Sequence, residues 1–257
     1  ARGGREMMRV VALVALGFVV FLATMLLRTP LDRLQPWFPA ALQSGQQYSG
    51  SLVRGGVQNV NAANAVIDAQ WALRPASVFL GQLGADVEFI LNRSIRGEST
   101  VAVGLGRVVS INDLLVAFEA AQLDHFVLPG ILRFSGNMRL DIREATVGQN
   151  RYGPAVGEIT WQRAAVTGQI PVSLGDVKLQ LSEVDGETRV DVSSSGGDVS
   201  LDGTVSLSPA GLYQTDVLVI PSPSASRNIV FTLESIAQPE SGNRFRIRQS
   251  GDLAELL

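Results

Sequence analysis

Residues 198–208, Asp-Val-Ser-Leu-Asp-Gly-Thr-Val-Ser-Leu-Ser, decide the fold class because apolar and polar side chains alternate along them. The apolar positions share one face with Gly203: Val199, Leu201, Val205 and Leu207. The polar positions share the other: Asp198, Ser200, Asp202, Thr204 and Ser206. A period of two is the repeat of a β-strand, and a strand with one apolar and one wet face is typical of an antiparallel sheet.

The same alternation recurs at residues 67–74, 132–143 and 177–181. Short turn sequences separate such stretches: Asp185-Gly186, Gly196-Gly197, Pro209-Ala210-Gly211 and Ser241-Gly242-Asn243. Strands joined by short turns predict hairpins and meanders, and no regular βαβ alternation is seen. We therefore predict a mainly β protein: a large antiparallel, strongly curved sheet, either a sandwich or an open half-barrel, with one or two short helices.

Two segments break the alternation. Residues 111–123, Ile-Asn-Asp-Leu-Leu-Val-Ala-Phe-Glu-Ala-Ala-Gln-Leu, offer Asn112 or Asp113 as N-cap before apolar residues at helical spacing, which predicts a helix. Residues 226–238 begin at Ser226, a suitable cap, and end before Pro239. They too predict a helix, although their β-branched content leaves a strand open.

The longest apolar run is Val10–Leu27, eighteen residues without a charge. As a helix it would span roughly 27 Å, close to the hydrocarbon thickness of a bilayer. A cleaved signal peptide would have a shorter apolar region and small residues at its exit, and a buried core helix would have a polar stripe. We therefore predict a transmembrane anchor, whose residues include Val10, Leu13, Leu16, Phe18, Phe21 and Leu26.

The orientation of this anchor follows from the flanking arginines. Arg2, Arg5 and Arg9 precede it, whereas Arg28 and Arg33 follow it with an aspartate between them. The positive-inside rule then predicts a cytoplasmic N-terminus. The predicted organisation is residues 1–9 in the cytoplasm, 10–27 in the membrane, 28–44 as an exit linker and 45–257 as the β-rich domain. Because residues 7–9, Met-Met-Arg, form a natural start, whether residues 1–6 are native is left open.

Composition limits the chemistry available to the chain. The 21 basic and 24 acidic residues give a net charge of −3, which argues against a nucleic-acid partner. Cysteine is absent, so disulfides and thiolate metal sites are excluded. His125 is the one histidine, which argues against a histidine metal cluster or a Ser-His triad within one chain. We predict no metal site.

Three sequence features suggest chemistry, and we assign each to structure. His125 beside Asp124 lacks any nucleophile motif to serve. Residues 104–109 lack the third glycine of a dinucleotide loop and the Lys-Ser/Thr of a P-loop, and therefore predict a turn. Residues 183–191 hold four carboxylates around a hairpin turn, without EF-hand spacing. The sequence predicts no enzyme, no catalytic residue and no cofactor.

The strands carry more one-sided apolar surface than two short helices can cover. Either the sheet closes over it, or an apolar face stays open, which would suit an acyl chain or a partner's hydrophobic strand. The residues we expect on such a face are Trp71, Phe134, Met138 and Leu140.

The order of landmarks resembles the protein N family of the type II secretion system. The matching stretches are residues 49–55 (Ser-Gly-Ser-Leu-Val-Arg-Gly), 69–75 (Ala-Gln-Trp-Ala-Leu-Arg-Pro), 157–161 (Gly-Glu-Ile-Thr-Trp), 197–205 (Gly-Asp-Val-Ser-Leu-Asp-Gly-Thr-Val), 242–247 (Gly-Asn-Arg-Phe-Arg-Ile) and Gly251. The chain departs from the family pattern at Val53-Arg54, where an aromatic residue often precedes the glycine.

The resemblance implies a single-pass protein of the bacterial inner membrane, with residues 45–257 in the periplasm. Its implied role is that of a non-catalytic accessory or assembly component of type II protein secretion, whose partners are the bilayer and other secretion proteins. The family is also distantly similar to AsmA-type proteins, whose curved sheets offer a lipid-sized groove. The alternative is therefore a periplasmic lipid-binding or lipid-transfer module.

Overall fold

The computed structural model describes residues 30–31, 47–62, 65–78, 81–104, 108–125, 132–148, 151–168 and 170–253. The strands are β1 (Gln47–Gly50), β2 (Arg54–Ala62), β3 (Ala65–Arg74), β4 (Gln82–Leu91), β5 (Ile95–Gly104), β6 (Val109–Glu119), β7 (Arg133–Gly148), β8 (Arg151–Thr167), β9 (Pro171–Val184), β10 (Glu187–Ser195), β11 (Val199–Leu207), β12 (Leu212–Pro221), β13 (Gln238–Glu240) and β14 (Arg244–Asp252). The helices are α1 (Pro75–Val78) and α2 (Arg227–Ile236), with a 3₁₀ helix at Ala120–His125.

Within each unit, strands that are neighbours in the chain pair antiparallel, and in the second unit β14 lies between β12 and β13. Short hairpins produce this order. Between β9 and β10, Asp185 and Gly186 have φ of 53° and 81°, the left-handed pair of a type I′ turn, which Asp-Gly favours. The predicted antiparallel, mainly β fold is confirmed.

The chain divides into two compact units. The first comprises the described residues up to Arg74 together with Ala85–Arg93, and the second comprises Pro75–Gly84 and the described residues from Ser94 onward. In the first unit, Leu31 is 1% exposed and packs where Gly55 has no side chain. Trp71 is opposite Gly55 in the β2–β3 register, and its indole N–H donates to the carbonyl oxygen of Leu52 at 3.0 Å.

The core of the second unit lies between α2 and one face of its last strands. Ile229 and Leu233 of α2 are buried against Val192 of β10, Val217 of β12 and Phe245 of β14. The alternation in 198–208 supplies part of this core, since Val199 is buried and Leu201 and Val205 pack against the cluster. The helix therefore covers the face that the sequence marked as apolar.

The predicted sandwich, half-barrel and strong curvature are wrong. The second unit, taken by itself, is an open antiparallel sheet that is neither closed nor strongly curled. Each short hairpin returns the chain beside the strand it has just left, so the strands accumulate in one layer. No connection in the described part of this unit crosses over to begin a second sheet.

The helix predicted over residues 111–123 is wrong over most of its length. Val109–Glu119 is strand β6, and only its end continues as the 3₁₀ helix. Asp113, which we interpreted as a helix cap, instead has φ of 52° at a β-bulge where the β5–β6 register shifts. Aspartate tolerates this left-handed conformation. The second predicted helix is confirmed as α2, and Ser226 is its N-cap.

None of the helices in the described ranges is long and apolar enough to cross a bilayer. The predicted anchor Val10–Leu27, with Val10, Leu13, Leu16, Phe18, Phe21 and Leu26, lies outside those ranges. Most of the predicted linker 28–44 also lies outside them, with Pro30 and Leu31 as its described residues. Pro30 forms an isolated antiparallel bridge with Ser51.

Candidate functional site on the apolar face of the second unit

Strand register assembles apolar side chains into two rows on one face of β6 to β9. One row runs Val116, Leu140, Ile159, Leu179, and the next runs Phe118, Met138, Trp161, Val177. Directly opposed residues on antiparallel strands have their Cβ atoms about 4.5–5.5 Å apart, so each row is a continuous line of contacts. The face is therefore apolar across four strands.

Among the described residues, α2 and its cluster cover only part of this face. Leu179 packs against the cluster beneath α2, but the side chains on β6, β7 and β8 do not belong to that cluster. Six of them are half-buried. We call these six the apolar patch: Phe118, Phe134, Met138, Leu140, Ile159 and Trp161.

Two contacts hold the aromatic end of the apolar patch. The Trp161 indole N–H donates to the carbonyl oxygen of Ser135 at 2.9 Å. The Phe134 ring lies 6.1 Å from the Trp161 ring at an angle of 53°, a favourable tilted arrangement. The patch thus presents fixed aromatic surface beside the flexible side chain of Met138.

The four residues expected on an open apolar face fall into two places. Phe134, Met138 and Leu140 lie together on β7 in the apolar patch. Trp71 lies on β3 in the first unit, at the Gly55 contact. Their role as a binding groove stays a prediction.

The sequence does not predict Phe118, Ile159 and Trp161 as members of the patch. Phe118 was hidden by the helix predicted over 111–123, although Leu114, Val116 and Phe118 already alternate. Ile159 and Trp161 lie in the stretch 157–161 that resembles the family, and their side of the sheet becomes evident from their pairing with Leu140 and Met138. Reading the alternation through the Asp113 bulge would have identified Phe118.

The opposite face of the second unit is polar. A pocket of about 350 Å³ on it is lined by residues of β7, β8 and β9: Arg139, Asp141, Arg143, Gly157, Glu158, Thr160 and Gln180. Lys178 Nζ lies 2.8 Å from Glu158 Oε2, and both side chains are exposed. Surface ion pairs of this kind contribute about 0–1 kcal/mol to the free energy of unfolding. Because both side chains are exposed, this face is in contact with solvent.

The most connected charges lie on the polar face of β12 and β14. Arg246 Nη1 is 2.7 Å from Asp216 Oδ1, Arg248 Nε is 3.2 Å from Asp216 Oδ2, and Arg246 Nε also binds Glu240. The hydrogen bond from Arg246 is the largest cause that holds the pKa of Asp216 below its usual value. The hydrogen bond to Glu240 is the largest cause that raises the pKa of Arg246. The cluster neutralises itself and ties β13 to β14.

Two of the three sequence features that suggested chemistry make contacts that stabilise the fold, as far as the structure describes them. The Gly104 N–H donates to the Val108 carbonyl oxygen at 3.1 Å and closes the β5–β6 hairpin. Asp191 Oδ1 is held by Arg189 Nε at 3.0 Å. No group of three or more potential metal-ligating side chains occurs within the described ranges. The 3₁₀ helix ends at His125, whose side chain lies outside the described part.

Fold and face together define an antiparallel sheet protein with apolar surface outside its helix-covered core. The chain belongs to the protein N family of the type II secretion system, since the family model "Type II secretion system (T2SS), protein N" matches residues 44–248. A curated relative is "Type II secretion system protein N" of Vibrio cholerae serotype O1 (strain ATCC 39315 / El Tor Inaba N16961). It is 25% identical over 250 residues, covering 93% of this chain and 99% of that protein. No solved structure matches the chain significantly.

Proposed function

We propose that this chain is a non-catalytic accessory or assembly component of the type II protein secretion system that acts through its β-rich part. The observation that carries the proposal is the extent of the family match, residues 44–248. That range contains β1 to β13 and about half of β14. The family match thus covers the strands of the sheet, and we assign the proposed role to this part of the chain.

The apolar patch is the surface we propose for contact with other secretion proteins. Half-buried apolar and aromatic side chains on a rigid sheet bury area at low entropic cost, and aromatic residues are enriched in interface cores. Leu140 lies in the patch directly opposite Ile159, whereas its neighbour Arg139 lines the polar pocket of the other face. These adjacent residues allow a matched comparison.

The test is co-purification of the tagged full chain with other secretion components from solubilised envelopes. We expect Leu140→Gln to lower the yield of those components several-fold and Arg139→Gln to leave it unchanged, with circular dichroism confirming that both variants fold. Equal recovery with both variants would contradict the apolar patch as the contact surface. Absence of any secretion component from the wild-type preparation would contradict the proposed role.

We also propose that residues 10–27 anchor the protein in the inner membrane, with residues 1–9 in the cytoplasm and 45–257 in the periplasm. The uncharged length of Val10–Leu27 and the arginines before it support this topology. Alkaline phosphatase fused after Leu257 should be active, because this enzyme folds only in the periplasm, and the fusion should resist carbonate extraction. An inactive or extractable fusion would contradict the topology.

A second candidate function is binding or transfer of lipid in the periplasm. The observation in its favour is the apolar patch itself, which lies outside the core beneath α2 and is wide enough to span β6 to β8. Native mass spectrometry of the full chain should then show bound lipid that Leu140→Gln releases and Arg139→Gln retains. Lipid bound equally by both variants would show non-specific carriage and contradict this function.

A further inference from the structure

Two neighbouring hairpins of the second unit end side by side. The β5–β6 hairpin turns between Gly104 and Val108, and the β7–β8 hairpin turns beyond Gly148. Because β6 pairs with β7 and Val109 lies opposite Val147, the two hairpin ends meet. All of these residues belong to the second unit.

Apolar side chains lie on both faces of these two hairpin ends. One face holds a row of successive register partners, since direct opposition on antiparallel strands places residues on the same side. The row is Val103, Val109, Val147 and Tyr152. The other face holds Val108, whose Cγ2 lies 4.0 Å from the place that a Cβ on Gly148 would take. Gly148 follows Val147, and successive positions of a strand point to opposite faces. Three of the valines, Val103, Val108 and Val147, are exposed.

The same hairpin ends carry positive charge. Residues 99–111 and 145–157 contain no aspartate or glutamate, and their charged residues are arginines. Arg151 is exposed, and it forms no ion pair with the residues that the structure describes. The β9–β10 hairpin at the same end of the sheet differs, because Glu183, Asp185 and Glu187 flank its exposed Val184. Charge therefore separates the first two hairpins from this third one.

Contacts made by β8 hold the end of the β7–β8 hairpin in place. The Tyr152 N–H donates to the Pro209 carbonyl oxygen at 3.0 Å. The Ala155 N–H donates to Thr188 Oγ1, also at 3.0 Å. A Cβ on Gly211 would lie 3.0 Å from Tyr152 Cε2, so the tyrosine ring occupies the space that this glycine leaves. A partner therefore meets preordered side chains, which lowers the entropic cost of contact.

We propose that these two hairpin ends insert into the surface of a lipid bilayer that contains anionic lipid. We call the inserted residues the valine tips: Val103, Val108, Val109, Val147, Arg151 and Tyr152. The proposal goes beyond the role in secretion, and it relies on the proposed membrane anchor only to keep the chain near the bilayer. A weak insertion then suffices, because tethering raises the effective concentration of lipid.

The chemistry of the valine tips selects a bilayer as the occupant. A protein that docked on one face of the hairpins would leave the valines of the other face in water, whereas immersion covers both faces. Tyrosine, with an apolar ring and a polar hydroxyl, is enriched at the membrane interface. Arg151 supplies the charge that attracts anionic headgroups, and the aliphatic stem of an arginine lies readily along apolar surface.

Site-specific fluorescence tests the insertion, because the chain contains no cysteine. A single cysteine is introduced as Val108→Cys and labelled with the environment-sensitive fluorophore NBD. Val184→Cys is the matched control, since the two valines are 44% and 43% exposed and lie at the same end of the sheet. Each labelled full chain is reconstituted alone into vesicles of phosphatidylcholine with about one-quarter phosphatidylglycerol. Part of the phosphatidylcholine carries a nitroxide near the headgroup end of an acyl chain, which quenches fluorophores that enter the interface.

We expect nitroxide quenching about three-fold stronger at Val108→Cys than at Val184→Cys, because interfacial segments lie about 5–10 Å deep in the headgroup boundary. Replacing phosphatidylglycerol by phosphatidylcholine should lower the quenching at residue 108 about two-fold, since it removes the anionic headgroups. Adding Arg151→Glu to the Val108→Cys chain should lower it by a similar factor, and circular dichroism shows that each labelled chain folds.

Equal quenching at the two positions would overturn the proposal. So would a blue-shifted label at residue 108 that the lipid nitroxide does not quench, since this would show contact with protein instead of lipid. Quenching that neither Arg151→Glu nor the loss of phosphatidylglycerol changes would overturn the assignment of anionic lipid. A labelled chain that does not float with the vesicles would overturn this proposal together with the membrane anchor, whereas the other outcomes leave the anchor and the role in secretion standing.

Discussion

Gly55 shows how one missing side chain sets the packing of the first unit. A Cβ at this position would overlap Leu31 Cδ1 and lie 3.0 Å from Trp71 Cζ2. Gly55→Ala should therefore lower the free energy of unfolding by about 1–3 kcal/mol, the usual range for overpacking. Gly104→Ala is the control, since a Cβ there meets only Val108 O at 4.0 Å. Urea unfolding of both variants measures the difference, and equal values would contradict the Leu31 contact.

Asp216 supplies a pH-dependent contribution to stability. Its pKa is lowered in the folded chain, chiefly by the hydrogen bond from Arg246, so it stabilises the fold above the unfolded value of about 3.9 and less as pH falls through the folded value. The free energy of unfolding of Asp216→Asn should therefore be lower than that of wild type at pH 7. The two values should converge below about pH 4. Asp202→Asn is the control, because Asp202 binds no arginine in the described part of the chain. A constant difference at every pH would contradict the ion pairs.

At the scale of the element, only one face of α2 packs against the sheet and contributes to the free energy of unfolding. Leu233 is 8% exposed in the core, whereas Phe231 is 72% exposed. Leu233→Ala should lower the free energy of unfolding by about 2–5 kcal/mol through lost burial and a cavity. Phe231→Ala should change it by less than about 0.5 kcal/mol, as for other surface substitutions. Thermal unfolding compares the two, and a larger loss for Phe231→Ala would contradict the helix placement.

The local sequence predicted helix α2 correctly but predicted a helix where strand β6 lies. In both segments the prediction depended on a capping residue and on the spacing of apolar residues. Ser226 caps a real helix whose buried residues Ile229 and Leu233 lie four apart, so cap and periodicity agree. Asp113 is equally suited to a cap and to a left-handed bulge, and the residues after it satisfy both periods. Pairing of β6 with β5 and β7 decided between the two. Such pairing over long sequence separation is not visible in a local pattern.

For the whole molecule, alternation predicted which residues share a face but not how the sheet is covered. Phe134, Met138 and Leu140 lie together on β7, because strand geometry fixes their side, whereas their role as a groove face stays a prediction. A closed sandwich was one of the two predicted arrangements, beside an open half-barrel, because apolar surface usually closes on itself. The hairpins instead lay the strands in one layer, and a single ten-residue helix covers part of the apolar face. How much apolar surface remains for a partner depends on this arrangement.

The central claim is that this protein serves type II secretion through its sheet. The most direct test is the amount of a type II substrate in the culture medium of a strain with a clean deletion, complemented with wild type, Leu140→Gln or Arg139→Gln. We expect the deletion to lower secretion, wild type and Arg139→Gln to restore it, and Leu140→Gln to restore it poorly. Wild-type secretion in the deletion strain would contradict the claim.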